Sequence, residues 1–248
     1  MDQQRIKRIS LLNVPVDMVQ PDDLEEVVKA LYSDGKNHQI ILLSMSDLLR
    51  ARRNGEFRSM VLSAGLILPI SLSIIKLARF LRKELPVRYE PFLAVIELLR
   101  IMEHYNKSLY LFGASPGVLK LAEKNIRATF PQLRVVGRHP AGFPRSFHSN
   151  IIKAIHKASP ALLLVGRGVP GGEKWIPAHL KNFKSGLYLW CSDLLDVFAE
   201  KRFRPPQFLF RHGLEFGYYY LRAPWKILRI FPKIWIGILA LWYRLRKR

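Results

Sequence analysis

The stretch from Ala161 to His179 reads A-L-L-L-V-G-R-G-V-P-G-G-E-K-W-I-P-A-H. Its first five residues, Ala161 to Val165, are all apolar. A run this short suits a central strand covered on both faces of a sheet better than it suits a helix. Four glycines follow and predict a turn: Gly166, Gly168, Gly171 and Gly172. The helical pattern resumes at Glu173, so this stretch predicts a strand, a glycine-rich turn and a helix.

This arrangement allows two interpretations. Glycines relieve crowding by Cβ atoms, so backbone N–H groups can approach an anionic ligand, and the amino end of a helix favours a phosphate. The other interpretation is a tight turn between a strand and a helix that binds no ligand. The pattern alone does not separate the two.

A second stretch, Leu109 to Val118, repeats the pattern as L-Y-L-F-G-A-S-P-G-V. A strand meets Gly113, Ser115 is a natural N-cap, and Pro116 suits the first position of a helix. Two such units predict an α/β fold with a mostly parallel sheet. Ligands of these sheets lie at the carboxyl ends of the strands, where we expect both glycine turns to converge.

The rest of the chain up to Glu200 alternates between short apolar runs and amphipathic stretches. We predict a strand over Leu11 to Val16, and a strand ending at Leu43 that runs into Ser44 and Ser46. Ser46 or Asp47 then caps a helix. A longer helix is predicted from Ser71 to Leu85. It presents a basic face: Lys76, Arg79, Arg82 and Lys83.

Composition indicates a globular protein with a polyanionic partner. Hydrophobic residues make up 49% of the 248 residues, whereas 40 Lys and Arg face 19 Asp and Glu, which gives a net charge of +21. Nucleic acid, anionic lipid and phosphorylated substrates all fit this charge. Cys191 is the single cysteine, so an intramolecular disulfide and a cysteine-built metal site are excluded. The first residues lack the apolar core of a secretory signal, so we expect a cytosolic location or the cytosolic face of a membrane.

The composition changes after Glu200, which predicts an α/β domain over residues 1–200 and a basic aromatic appendage over 201–248. The appendage carries twelve Lys or Arg and one acidic residue, Glu215. Its apolar run from Ile234 to Tyr243 is half of the roughly 20 residues that a spanning helix needs. We expect these residues to contact an anionic bilayer: Trp225, Lys226, Arg229, Trp235, Trp242 and Arg244. A nucleic-acid arm and a short hydrophobic hairpin are the alternatives, and we expect no specific nucleic-acid binding.

In this order, the motifs resemble the WecG/TagA/CpsF glycosyltransferases, glycosyltransferase family 26. The similar stretches are L-N-V-P-V-D at 12–17, the stretch at 109–118, F-P-Q-L-R-V-V-G at 130–137, L-V-G-R-G-V-P-G-G-E-K-W-I at 164–176, and two short signatures at 204–206 and 213–215. The resemblance implies a Rossmann-like sheet with helices on both faces. It also implies an inverting hexosyltransferase that needs no metal or cofactor.

The resemblance further implies the substrates and partners. The donor is a UDP-sugar, and the acceptor is a sugar linked to a polyprenyl diphosphate at the cytoplasmic membrane. The appendage docks to the anionic membrane surface and completes the active site, and a homo-oligomer in which it packs across a subunit boundary is compatible with the family.

Several positions carry over to the donor site. Gly166, Gly168, Pro170 and Glu173 match the family's Gly-x-Gly-x-Pro-Lys-Gln-Glu element, with Gly171 and Gly172 in place of Lys-Gln. Asp196 matches the Asp that follows the last strand. Arg204 matches the arginine of the family's Arg-Ala-Pro and, with Arg211, is a candidate to grip a diphosphate, which a guanidinium can do in bidentate fashion. The other expected donor contacts are Ser44, Ser46, Gly113 and Ser115.

The chain departs from the family where the catalytic base is expected. The family reads Pro-Asp-Gly where this chain has Pro69, Ile70 and Ser71. General-base assistance contributes about 10²–10⁴-fold to a rate, and an isoleucine cannot accept a proton. Glu90 and Asp47 are the candidates to replace the base. Two hypotheses therefore remain: a peripheral membrane glycosyltransferase of cell-surface polysaccharide assembly, or a catalytically inactive member that binds sugar nucleotide or a partner enzyme as a regulator or scaffold.

Overall fold

The computed structural model describes residues 6–53, 55–204 and 206–213. Eight strands lie in this part of the chain: β1 (Arg8–Leu11), β2 (Val14–Asp17), β3 (Asn37–Leu43), β4 (Leu66–Pro69), β5 (Ser108–Phe112), β6 (Arg134–His139), β7 (Leu162–Gly166) and β8 (Gly186–Ser192). The α-helices of the same residues are α1 (Leu24–Ser33), α2 (Met45–Arg53), α3 (Gly55–Leu62), α4 (Leu72–Phe80), α5 (Pro91–His104), α6 (Pro116–Thr129), α7 (His148–Ala158), α8 (Trp175–His179), α9 (Leu194–Phe198) and α10 (Gln207–His212).

Six strands form one parallel sheet in the order β4-β3-β8-β7-β5-β6. The five residues of β7 are all buried, as expected for an apolar strand with neighbours on both sides. Because every strand runs in the same direction, the turns that follow the strands all lie at one edge of the sheet. This arrangement confirms the predicted Rossmann-like α/β fold.

Helices cover both faces of the sheet. On one face, α1, α5, α6 and α9 bury a core that includes Val28, Leu98, Ala122 and Leu195. The other face packs against α2, α3 and α4 at one end and against α7 and α8 at the other. The amphipathic stretches read from the sequence correspond to these helices, since their apolar stripes are the buried residues.

The predicted strand over Leu11 to Val16 is wrong. The segment is a hairpin of β1 and β2, separate from the parallel sheet, and its turn lies at Leu12 and Asn13. Both turn residues have positive φ, 51° and 65°, as two-residue hairpin turns require. Asp17 ties this hairpin to β4, because its carboxylate accepts hydrogen bonds from Nε of Arg8 at 2.5 Å and from the amide of Ile67 at 2.7 Å.

The helix predicted from Ser71 to Leu85 is shorter in the structure. It ends at Phe80, because Arg82 adopts the left-handed conformation at φ 52° and the amide of Lys83 donates to the carbonyl of Ala78. This is the hydrogen bond that closes a helix carboxyl end, usually with glycine in the left-handed position. The four cations of the predicted basic face all remain exposed.

Residues 201–213 lie against the α/β domain. The guanidinium of Arg88 donates to the carbonyl of Phe210 at 2.7 Å, and a Cβ built on Gly213 would lie 2.3 Å from Leu72 at the start of α4. The boundary at residue 200 therefore stays a prediction. The six appendage residues expected to contact lipid, Trp225 to Arg244, lie outside the described residues. Within the described part of the chain, no helix is long and apolar enough to cross a bilayer.

Candidate active site

The two glycine turns touch each other at the carboxyl edge of the sheet. Gly113 has φ 112°, and a Cβ built there would lie 2.7 Å from the carbonyl oxygen of Gly166. The amide of Ala114 donates to the carbonyl of Arg167 at 2.8 Å. The expected convergence of the two turns is thus observed, and the close approach of two backbones explains why glycine occupies position 113.

The second glycine turn is anchored to the neighbouring helices by ion pairs. Glu173 pairs with Arg50 of α2, and the ammonium of Lys174 lies 2.5 Å from the carboxylate of Glu56 in α3. Gly168 and Gly171 each have φ 86°, so side chains would be strained there. The ion pairs of Glu173 and Lys174 and the backbone conformations of Gly168 and Gly171 together fix the position of the turn.

A cleft of about 460 Å³ opens beside this turn, over the carboxyl ends of β3, β4 and β8. It is mixed in character. Its charged lining residues are Asp47, Arg88, Glu90, Glu173, Asp193, Arg202 and Arg204. Its apolar lining includes Leu42, Ile70, Phe92, Trp190 and Phe210. A largely apolar concavity with a few convergent charged groups, at the carboxyl ends of parallel strands, is where α/β proteins bind their ligands.

Four of the predicted site residues line this cleft: Asp47, Glu90, Glu173 and Arg204. The glycines lie next to it, since the amide of Arg167 donates at 2.8 Å to the carbonyl of Ser192, which lines the cleft. Ser115 is at the N-cap of α6 and exposed, but it makes no side-chain capping bond. It does not line the cleft, and neither do Pro170, Gly171 and Gly172.

Asp47 is committed to capping α2. One carboxylate oxygen accepts from the amide of Ser44 at 3.1 Å and from its hydroxyl at 2.5 Å, while the amide of Asp47 donates back to the Ser44 hydroxyl at 3.2 Å. This reciprocal pair is a capping box. Burial raises the pKa of Asp47, and nearby Glu173 raises it further, whereas the Ser44 hydrogen bonds and Arg50 lower it. Ser46 bonds the Ser44 hydroxyl from the exposed side at 2.8 Å.

Glu90 is the least satisfied carboxylate of the cleft. It precedes Pro91, the first residue of α5, and its Oε2 atom is buried with no hydrogen-bond partner among the described residues. Burial raises its pKa, while the charge of Arg204 and the nearby amides of Phe92 and Leu93 act in the opposite direction. A raised pKa in a cleft is typical of a carboxylate used as an acid or base.

Two hydrogen bonds place the segment of Glu90 beside Ile70, where the family resemblance leads us to expect an aspartate. The amide of Tyr89 donates to the carbonyl of Pro69 at 2.9 Å, and Nε of Arg88 donates to the carbonyl of Ile70 at 3.0 Å. The segment of residues 88–90 therefore runs along the end of β4. Ile70 and Glu90 both line the cleft.

Asp196 lies outside the cleft and serves the turn instead. It is buried, and its Oδ1 accepts from the guanidinium of Arg167 at 2.7 Å, whereas its Oδ2 has no partner among the described residues. Arg167 lies between Gly166 and Gly168. Asp196 thus holds the middle of the glycine turn rather than facing a ligand in the cleft.

Two predicted arginines come from the segment after Glu200. Arg204 is exposed and lines the cleft, with its guanidinium carbon 4.8 Å from the ring centre of Phe92. Its neighbour Arg202 pairs with Asp193 at the end of β8. Arg211 belongs to α10, the helix that contributes Phe210 to the cleft. Arg202 and Arg204 therefore give this side of the cleft positive charge, which would attract an anionic ligand.

Sequence reasoning missed Arg88 and Ser71. Arg88 connects Ile70 with Phe210, and the hydroxyl of Ser71 accepts from the amide of Met45 at 3.1 Å. These contacts join residues up to 122 positions apart in the chain, so no local pattern could have indicated them. Among the described residues, no group of three His, Cys, Asp or Glu side chains is placed to hold a metal ion.

The fold and the cleft together define an α/β protein with a charged cleft at the carboxyl edge of its parallel sheet, beside two glycine turns. The chain belongs to the WecG/TagA/CpsF family of glycosyl transferases, whose model matches residues 9–248.

Two relatives carry the same description, N-acetylglucosaminyldiphosphoundecaprenol N-acetyl-beta-D-mannosaminyltransferase. The protein from Bacillus subtilis (strain 168) is 25% identical over 191 residues, which cover 76% of this chain and 74% of the relative. The protein from Staphylococcus aureus (strain NCTC 8325 / PS 47) is 21% identical over 221 residues, covering 88% and 86%. These matches support the family's transferase chemistry and its place in cell-envelope polysaccharide synthesis.

Proposed function

We propose that this protein transfers a sugar, with inversion, from a UDP-sugar to a polyprenyl-diphosphate-linked N-acetylglucosamine at the membrane surface. The acceptor is inferred from the names of the relatives, which act on N-acetylglucosaminyldiphosphoundecaprenol. The donor fits the cleft beside the two glycine turns, where backbone amides and arginines favour an anionic diphosphate.

One observation carries the proposal: in the cleft, the buried Oε2 atom of Glu90 has no hydrogen-bond partner among the described residues, and Glu90 lies next to Ile70, where the family resemblance leads us to expect an aspartate. Glu90 is placed to take over the role of general base. Asp47 is the weaker candidate, because the carboxylate oxygen that Ser44 contacts already caps α2.

Glu90 would act as the general base of the transfer. An acceptor hydroxyl oxygen attacks the anomeric carbon, the bond from that carbon to the UDP oxygen breaks, and UDP leaves with the electron pair. The hydroxyl proton passes to the Glu90 carboxylate. Arg204, Arg211 and the amides of the glycine turns would offset the negative charge that develops on the departing diphosphate.

The appendage and the basic face would place the enzyme on an anionic bilayer. The residues after Gly213 include eight Lys or Arg and three Trp. The described domain adds Lys76, Arg79, Arg82 and Lys83, all exposed, on and just after α4. Gly213 packs on Leu72 in the first turn of α4, the helix that carries Lys76 and Arg79. Anionic lipids attract such cations at about 1 kcal/mol for each Lys or Arg near the surface.

The test is release of UDP by the purified protein in the presence of UDP-N-acetylmannosamine and a lipid-linked N-acetylglucosamine acceptor. Turnover that requires both substrates supports the proposal. Ile70 also favours a second function, an inactive member that binds sugar nucleotide as a regulator. Tight binding of UDP without any turnover across acceptors and donor sugars would favour that second function and contradict the first.

A further inference from the structure

A second cavity of about 520 Å³ adjoins the cleft at Glu90. It is formed by the start of α1, residues 87–90, the first turns of α5, and α10. The motifs that indicate the donor site contribute nothing to it. Its ligand must therefore be inferred from its own lining and from its connection to the cleft.

The two cavities share three lining residues, Arg88, Glu90 and Phe210. Glu90 thus stands where the cavities meet, and its Oε2 atom is buried without a hydrogen-bond partner in the described residues. A general base in a transfer reaction must contact the attacking hydroxyl, which approaches the anomeric carbon opposite to the leaving group. If the donor occupies the cleft, the second cavity is the adjoining space from which an acceptor hydroxyl can reach Glu90.

The lining of the second cavity suits a neutral, hydroxyl-rich ring. Asp22 and Gln207 supply polar atoms that can hydrogen-bond hydroxyl groups, whereas Glu97 is paired with Arg100; Leu24, Leu93 and Ala94 supply apolar surface. Among the described residues that line the cavity, the only cation is Arg88, which already donates to the carbonyls of Ile70 and Phe210. With Asp22 and Glu90 facing one guanidinium that is already hydrogen-bonded, the cavity suits the ring of the acceptor better than its phosphates.

We infer that the second cavity holds the sugar of the acceptor, with the attacking hydroxyl directed at Glu90. This inference rests on the proposed function, because it assigns the second substrate of the same reaction. The hydroxyl gives its proton to Glu90 as its oxygen bonds to the anomeric carbon, and UDP departs into the cleft. Donor and acceptor then occupy separate cavities and can be perturbed separately.

The direct test fills the second cavity with Leu93→Trp. Leu93 is 39% exposed on α5 and does not line the cleft, so a larger side chain can be accommodated without disturbing the core. The matched control is Leu62→Trp at the end of α3, where the leucine is 48% exposed and lines neither cavity. We expect the KM for a short-chain prenyl-diphosphate N-acetylglucosamine to rise about tenfold or more in Leu93→Trp, with the KM for the UDP-sugar unchanged. Leu62→Trp should match the wild type.

A second variant probes the polar lining. Asp22→Asn keeps the shape of an exposed side chain and removes its charge, and loss of a charged hydrogen-bond partner should weaken acceptor binding by about tenfold. An unchanged acceptor KM in both Leu93→Trp and Asp22→Asn overturns the inference. An equal loss of UDP affinity in Leu93→Trp overturns it as well, because the cavity would then belong to the donor.

Binding measurements separate this inference from the proposed function. Calorimetry with the same short-chain acceptor probe and the wild-type protein, Leu93→Trp and Leu62→Trp requires no turnover. Binding that is lost only in Leu93→Trp, with no UDP release by the wild type, would support the acceptor cavity and contradict the transferase activity. UDP release by the wild type, with acceptor binding equal in all three proteins, would support the transferase activity and contradict the acceptor cavity.

Discussion

Glu90 and Asp47 are both half-buried carboxylates of one cleft, but their side chains have different partners. The carboxylate of Asp47 is hydrogen-bonded to the amide and hydroxyl of Ser44, whereas Oε2 of Glu90 has no partner among the described residues. A carboxylate that holds a helix end is poorly available to a substrate. The two residues should therefore respond differently to substitution, one in rate and the other in stability.

Glu90→Gln should lower kcat by about 10²-fold or more, because the amide cannot accept the acceptor's proton. UDP affinity should stay within about twofold of the wild type, since glutamine keeps the volume of the side chain. The measurements are UDP release at saturating substrates and calorimetric binding of UDP. A variant with wild-type kcat would exclude Glu90 as the base.

Thermal unfolding provides the control for this variant. The pKa of Glu90 is raised in the folded protein, so folding disfavours its charged form, and this penalty grows as the pH rises through the unfolded-state pKa. A neutral glutamine removes the penalty. The Tm of Glu90→Gln at neutral pH should equal or exceed that of the wild type, which would show that lost activity is not lost folding.

The same shift predicts the pH profile of the wild type. The base works only when deprotonated, so kcat/KM should fall as the pH is lowered through a pKa above the usual glutamate range. An acid limb at the ordinary glutamate pKa, or one that persists in the residual activity of Glu90→Gln, would contradict the assignment.

Asp47→Ala should act on stability. It removes a capping box, and the loss of a cap costs about 0.5–2 kcal/mol. We expect a lower midpoint of denaturant unfolding with an unchanged m value, and a smaller loss of kcat than in Glu90→Gln. Ser46→Ala is the matched control, because the exposed Ser46 contacts the same Ser44 hydroxyl without closing the box. A collapse of kcat in Asp47→Ala with unchanged stability would make Asp47 the base.

The two strand-turn-helix units meet at their turns through backbone contacts. Gly113 faces the carbonyl of Gly166 across the sheet edge, and the amide of Ala114 donates to the carbonyl of Arg167. The position of one turn therefore fixes the position of the other. Position 113 must lack a side chain for this contact to form.

Gly113→Ala should be strongly destabilising. The new Cβ would lie 2.7 Å from a backbone oxygen at φ 112°, and a residue forced into an incompatible backbone conformation costs more than about 1 kcal/mol. UDP affinity should fall with it, because the turn must shift. The measurements are the midpoint of urea unfolding and calorimetric UDP binding.

Gly117→Ala is the control, only four residues away. Gly117 lies in the first turn of α6, and a Cβ there would meet no atom within 4 Å. Alanine is favoured over glycine in a helix by up to about 1 kcal/mol, so this variant should be as stable as the wild type or more stable. Equal stability of the two variants would show that the close approach of the turns does not exist.

The sequence predicted helices and strands correctly where the pattern of neighbouring residues determines them. The strand predicted to meet Gly113 is β5, which ends at Phe112, and the Ser115-Pro116 start of α6 is as expected. The errors lie where a residue other than glycine adopts positive φ. Leu12 and Asn13 turn the first strand into a hairpin, and Arg82 ends α4 early. These conformations are set by tertiary packing, which residue preferences do not report.

Over the whole chain, the sequence predicted the fold class and four of the seven charged residues that line the cleft. It did not indicate the second cavity. Repeated strand-glycine-helix patterns fix a parallel sheet and the edge where ligands bind. The cavity beyond Glu90 brings together residues from Pro21 to Phe210. Its assembly depends on how α1, α5 and α10 pack, and no spacing in the sequence indicates such packing.

The membrane location can be tested by truncation. A chain ending at Gly213 keeps the contacts of α10 with Arg88 and Leu72, so it should fold with a Tm within a few degrees of the full chain. It loses eight cations and three tryptophans. We expect it to remain in the supernatant with vesicles containing phosphatidylglycerol under conditions where the full chain sediments.

A truncation that removes more of the chain and a series of salt concentrations complete this test. Ending the chain at Lys201 should also lower the Tm, because α10 is then missing. Binding of the full chain should weaken at high salt and with neutral vesicles, as electrostatic attraction to anionic lipid requires. Equal sedimentation of the Gly213-terminated and full chains would contradict the role assigned to the appendage.

The uniform direction of the six sheet strands also guides labelling of the protein. Loops that precede strands lie at the edge of the sheet opposite to the glycine turns, and the exposed residues Pro131 and Gln132 belong to such a loop, before β6. A fluorophore attached at Pro131→Cys would be remote from the chemistry, while the native thiol of Cys191 is buried and shielded from the reagent. Single-molecule tracking on supported bilayers could then measure how long each labelled protein molecule stays bound to the membrane.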